Sequence, residues 1–298
     1  MAASGNFAFN NPVFQEERPG LTPPAAQTSY STASHQAADV AANAQLEGMY
    51  AAPPANASQT GRMTVEDTIV KTAALFGILL VTAVVGWVWT LGGAVAPAEA
   101  TSLTIMPWII GALVGFVLAL VISFTSHKKV RPGLIWAYAA AEGLFVGGIS
   151  AYFEFIWPGI VMQATIATVA VVGVTLALFA NGKVRVSAKA NKVFLIAMVG
   201  YMVFGLINLV LMWTNVVPGA FGLYSQKIAG IPLGLIIGLL VVLMAAYSLV
   251  QDFDLVQRGA RNGAPRQFAW VGAFGIMVTI VWLYVEILRM IAILRGSD

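Results

Sequence analysis

Residues 133–153 read GLIWAYAAAEGLFVGGISAYF, an apolar run with a single ionisable side chain, Glu142, and small residues at four-residue spacing: Ala139, Gly143, Gly147 and Ala151. About 20 residues at a rise of 1.5 Å each cross a hydrocarbon core of about 30 Å. A backbone in lipid must satisfy its own hydrogen bonds, so a run of this length is a helix. Six comparable runs accompany it, at 73–95, 104–125, 159–180, 193–215, 229–250 and 268–294. The alternating ten-residue strands of a transmembrane barrel are absent. The sequence therefore predicts an all-α integral membrane protein, a seven-transmembrane helix bundle (residues 63–298) whose partner is the lipid bilayer.

Composition agrees. Of 298 residues, 59% are hydrophobic and 10% charged, against roughly 25% charged in soluble domains, and the mean hydropathy is +0.81. The net charge of +3 reflects a few excess bases on a charge-poor chain, so no nucleic-acid partner is expected. Without cysteine, disulfides and thiolate chemistry are excluded, and His35 and His127 are far apart in sequence, so no zinc or haem cofactor is expected. The last run contains no lysine for a retinal Schiff base, and no phosphate-binding glycine loop, H-E-x-x-H or G-x-S-x-G motif occurs. The chain is not expected to be an enzyme.

Residues 1–62 are rich in Ala, Pro, Ser, Gln and Asn without an apolar period, the composition of a disordered tail. Within it, Phe9-Asn10-Asn11-Pro12-Val13-Phe14 reads either as a docking peptide or as a bland apolar patch. No secretory signal precedes the first long run, which would be an uncleaved span. Met63-Thr64-Val65-Glu66-Asp67 has the form of a helix start, with Thr64 as N-cap and acidic residues in the first turn.

Arg18, Arg62 and Lys71 precede the first run. Lys128, Lys129 and Arg131 lie between the second and third, Lys183, Arg185, Lys189 and Lys192 between the fourth and fifth, and Arg258, Arg261 and Arg266 between the sixth and seventh. The opposite side keeps only Lys227, Arg289 and Arg295. The positive-inside rule then predicts a cytoplasmic tail and an outward C-terminus.

Gly111 and Gly115 in the second run, the stripe in the third, and Gly230, Gly234 and Gly238 in the sixth would let helices approach closely, which predicts that the third and sixth are buried. Among intramembrane charges, Glu142 lies roughly 13 Å past the basic loop, near mid-membrane and beside the Gly143/Gly147 stripe. A carboxyl group there is either neutral or paired with a cation, so Glu142 is a candidate proton-coupled or cation-path residue, with a hydrogen-bonded structural acid as the alternative. Asp252 and Asp254 close the sixth run. Such carboxylates suit calcium or a solvated interface, and only one of the two can face the bundle. Glu286 and Arg289, i and i+3 on the last run, are placed at its outer boundary, as an ion pair with Arg289 snorkelling outward or as an outer cation vestibule.

The segment Glu142-Gly143-Leu144-Phe145-Val146-Gly147-Gly148-Ile149-Ser150 resembles the E-G-L-x-x-G-x-x-S signature of the Bax-inhibitor or YccA-like family of membrane proteins. The exit Gln251-Asp252 followed by Arg261-Asn262-Gly263 is similar as well, as is the last run from Trp270 to Leu288-Arg289. The likeness covers most of residues 65–295. Asn11-Pro12-Val13-Phe14 with a long polar tail resembles the actinobacterial branch.

The resemblance implies a central last helix and, from bacterial relatives, a pH-sensitive calcium leak latched by two aspartates, one on the sixth helix and one on the seventh, that share a proton. Asp252 matches the sixth-helix aspartate and Glu142 the third-helix glutamate. The seventh-helix place falls around Val278-Thr279, neither acidic, so Asp252 pairs with another group, such as Asp254 or a loop base, or the latch is absent. Two functions follow as expectations. One is a calcium or cation leak channel or exchanger using Glu142 and Asp252, with calcium as cargo. The other is a non-transporting regulatory protein whose tail binds a membrane protease or another membrane protein.

Overall fold

The computed structural model describes residues 61–126, 130–217, 219 and 221–296. The Phe9–Phe14 segment, His35 and His127 lie outside them. Among the described residues, seven helices are long and apolar enough to cross a membrane: α1 (Val65–Thr90), α2 (Met106–Thr125), α3 (Pro132–Ile156), α4 (Ile160–Ala180), α5 (Ala188–Trp213), α6 (Leu233–Arg261) and α7 (Phe268–Arg295). The only strands among the described residues, β1 (Lys227–Ile228) and β2 (Ile231–Pro232), form a small hairpin before α6.

Helix α1 begins at Val65, where the Thr64 cap places it and before the apolar run at residue 73. Thr64 caps it, its hydroxyl accepting from the Asp67 amide at 3.1 Å, with Glu66 and Asp67 in the first turn. The two polar opening turns are held by the α6–α7 connection. The Met63 amide donates to the Ala264 carbonyl at 2.7 Å, and the Arg266 amide to that of Gly61 at 2.9 Å. Lys71 Nζ bonds Asp67 at 2.5 Å and the Arg266 carbonyl at 3.1 Å. Lys71 is thus a buried staple rather than a loop base.

Helix α6 departs from expectation at both ends. It starts at Leu233, because Ala229 (φ 52°) and Gly230 (φ 83°) form the two-residue turn of the hairpin. Positive φ at both central residues is what a tight hairpin turn demands. Gly230 is therefore a turn glycine and not part of a packing stripe; a Cβ there would meet nothing. At the other end α6 runs on to Arg261, so Asp252 and Asp254 lie inside the helix.

Helices α3 and α7 are the most buried, at 56% of their spanning windows, whereas α6 reaches 39%. The last helix, more than the sixth, is the core element, packed against α6, α1, α4 and α3. Helix α3 is clasped by α1 and α2 through glycine. Gly143 lies against Leu79 and Thr82, Gly147 against the Ala83 backbone, and Gly111 of α2 against Ala141 and Phe145. From α1, a Cβ on Gly86 would come within 2.7 Å of the Leu144 carbonyl oxygen. Close backbone approach of this kind drives helix association where lipid supplies no hydrophobic force. Helix α5 is peripheral, with 11% of its window buried.

Candidate functional site

Two carboxylates and their partners occupy the middle of the bundle. Glu142, Asp252 and Thr279 stand nine to eleven residues from the base-rich ends of α3, α6 and α7, a common depth of about 14–17 Å.

Asp252 is fully buried at the α6–α7 interface. The hydroxyl of Thr279, itself 3% exposed, donates to Asp252 Oδ2 at 2.6 Å. Thr279 thus fills the seventh-helix place that the sequence marked as lacking an acid, and it binds as a hydroxyl donor. Asp254 is not the partner of Asp252, because residues two apart on a helix diverge. It turns to Arg258 on its own helix, at 2.9 Å.

Glu142 is half-buried on α3, one helical turn after Tyr138, whose hydroxyl lies close to the carboxylate. It faces α2 at Gly115, where an added Cβ would stand 3.2 Å from Glu142 Oε2, so the glycine makes room for the carboxylate. The ring of Tyr138 meets Phe274 of α7 edge-on, with centroids 4.8 Å apart. Tyr138 therefore bridges Glu142 to the central helix. Next to Asp252, Gln251 donates to Asn191 Oδ1 of α5 at 3.2 Å, and the Tyr247 hydroxyl donates to the same atom at 2.5 Å. Asn191 draws the base-rich end of α5 onto α6.

Glu286 and Arg289 form a second polar centre. Helix α7 ends at Arg295, one residue past the apolar run, and Glu286 lies about 14 Å before that end. Glu286 is 3% exposed. One of its oxygens pairs with Arg289 and the other accepts from the Tyr201 hydroxyl of α5 at 3.0 Å. Arg289 does not snorkel outward; its guanidinium lies over the Tyr224 ring, 3.9 Å from the centroid. With both oxygens engaged, Glu286 is not an open cation vestibule. Gly234 and Gly238 make room at this level, Gly234 against Ile293 and Tyr224, Gly238 against Met290.

Three features escaped sequence reasoning. Tyr138 could have been found as the residue four before Glu142, and Asn191 as a polar residue opening an apolar helix. Glu154 gives no such signal, since its role depends on the turn that follows α3: its two oxygens accept from the Gly159 and Val161 amides at 2.6 and 2.9 Å, closing the start of α4.

Among the described residues, no three His, Asp or Glu side chains converge as a metal-holding group. A family model described as Bax inhibitor 1 like matches residues 11–296. No curated protein matches the chain.

Proposed function

The chain belongs to the Bax inhibitor 1 like family of multi-pass membrane proteins, and from that premise we propose that it is a calcium or cation leak channel or exchanger in a bacterial plasma membrane. It has no enzymatic step and no resident cofactor in this reading. Glu142 lines the path, and Asp252 with Thr279 forms the latch between α6 and α7. The observation that carries the reading is the buried Asp252–Thr279 bond at the depth of Glu142. A charged group deep in a bundle is costly to keep, which makes it a candidate for the route of an ion or proton. The base-rich end, with the N-terminal tail, faces the cytoplasm by the positive-inside rule.

The test is calcium uptake into dye-loaded proteoliposomes between about pH 5 and 8, the range in which perturbed carboxyl groups and histidine titrate. Parent protein is compared with Glu142→Gln and Asp252→Asn. Uptake lost in Glu142→Gln supports a carboxylate-dependent leak. A folded, inserted parent that passes no calcium anywhere in this range overturns the proposal and favours a regulatory protein acting through a membrane partner.

A further inference from the structure

A crevice of about 670 Å³ lies between α1 and α4, with α3 and α7 as its floor. Its rims are exposed: Val84 of α1 is 64% and Val169 of α4 66% accessible. The crevice thus opens sideways, into the region that lipid occupies.

The lining contains hydroxyl groups, but the buried ones are already engaged. Ser150 Oγ and the Tyr284 hydroxyl bond each other at 2.7 Å, and Thr168 donates to the Ala164 carbonyl at 2.7 Å. A polar ligand would have to break those bonds, whereas an alkyl chain needs none of them. An apolar cavity of about 150 Å³ stays dry and takes up a benzene ring. A crevice several times larger and elongated suits a chain.

Length and position identify which chain. The α1 wall runs from Phe76 to Val88, roughly 18 Å at 1.5 Å per residue. One leaflet contributes about 15 Å of a 30 Å hydrocarbon core. At the far end Trp87 Nε1 donates to the Val95 carbonyl at 2.9 Å, and tryptophan with an occupied N–H is typical of the headgroup boundary. The crevice therefore starts near mid-membrane and ends at one interface.

We infer that this crevice is a binding site for one acyl chain of a bilayer phospholipid, drawn from the leaflet on the side of the α1–α2 connection. The bound chain covers Val281 and Tyr284 of the central helix, within two turns of Thr279, and replaces protein–protein packing on that flank of α7.

The test uses the full chain in vesicles of phosphatidylethanolamine and phosphatidylglycerol containing a phosphatidylethanolamine with a diazirine in its acyl chain. After illumination, labelled residues are mapped by mass spectrometry. Labelling at Val88 and Thr165 should exceed that at Leu113 and Val117 of α2, which are 63% and 57% exposed, by about tenfold, the ratio that about 1.4 kcal/mol of preference produces. The double variant Val84→Trp/Val169→Trp fills the mouth at exposed positions, which spares folding, and should bring Val88 and Thr165 down to the α2 level. Equal labelling of all lipid-facing helices, or labelling unchanged by the double variant, overturns the proposal.

Discussion

Thr279 donates its hydroxyl to Asp252 across the α6–α7 interface at 2.6 Å, with both side chains buried. Two carboxyl groups in this position would titrate as a coupled pair sharing one proton. A threonine hydroxyl does not titrate in the physiological range, so the bond can form with the carboxylate without any shared acid proton.

Replacing Thr279 therefore separates the bond from its pH response. Thr279→Val leaves the Asp252 oxygen without this donor and should cost about 1–3 kcal/mol of stability while raising the calcium leak. Thr279→Asp creates a carboxyl pair and should make the leak steeply pH-dependent. Flux measured against pH for the three proteins checks both; a parent with the same pH slope as Thr279→Asp contradicts this account of the latch.

Gly147 and Gly230 should respond differently to alanine. A Cβ on Gly147 would run into the Ala83 backbone, so Gly147→Ala must push α1 from α3, with a cost of about 1–3 kcal/mol typical of overpacking. Gly230→Ala meets open space and carries only the strain of φ 83°, about 1–2 kcal/mol. Exchange protection of backbone amides distinguishes the two: α1 and α3 should loosen in the first variant and stay protected in the second.

The Glu286–Arg289 pair should behave as a buried ion pair. Losing either partner alone strands a charge and should cost about 3–5 kcal/mol, whereas Glu286→Leu/Arg289→Met together should lie closer to the parent than either single change. Thermal unfolding in detergent reads this directly; strictly additive losses would mean that the two side chains act independently.

Asn191→Leu removes the acceptor shared by Tyr247 and Gln251. Because α5 has little other burial, amide exchange should rise across residues 188–213 and remain unchanged in α3. Uniform loosening of the whole bundle would show that Asn191 supports the core rather than its peripheral helix.

The seven spans were legible because lipid imposes a minimum apolar length, and the Thr64 cap because its chemistry is local. The far end of α1 and both ends of α6 were not. Lys71 reads as a loop base until Arg266, distant in sequence, supplies its partner, and Gly230 reads as a stripe member until the hairpin turn claims it. At the site, Glu142 and Asp252 stood out as charges in apolar runs. Their partners depend on helix rotation and contact, which a four-residue spacing does not fix between helices: Thr279 is an ordinary polar residue until α6 brings Asp252 against it. Arg289 was placed at a boundary by counting about 27 Å from Phe268, which says nothing of the Tyr224 ring that covers its guanidinium.

The fastening of residues 61–71 to the α6–α7 connection has a consequence for biogenesis. The amides of Met63 and Arg266, and the side chains of Asp67, Lys71 and Arg266, close a loop about 200 residues long. During synthesis α1 leaves the ribosome first, yet its opening turns obtain their partners only when the segment ahead of α7 emerges. Until then Lys71 and Asp67 have only each other at the membrane surface, and the first span stays free to shift along its axis. Insertion of the last hairpin thus fixes the position of the first helix, so the bundle is completed from its final segment back to its start.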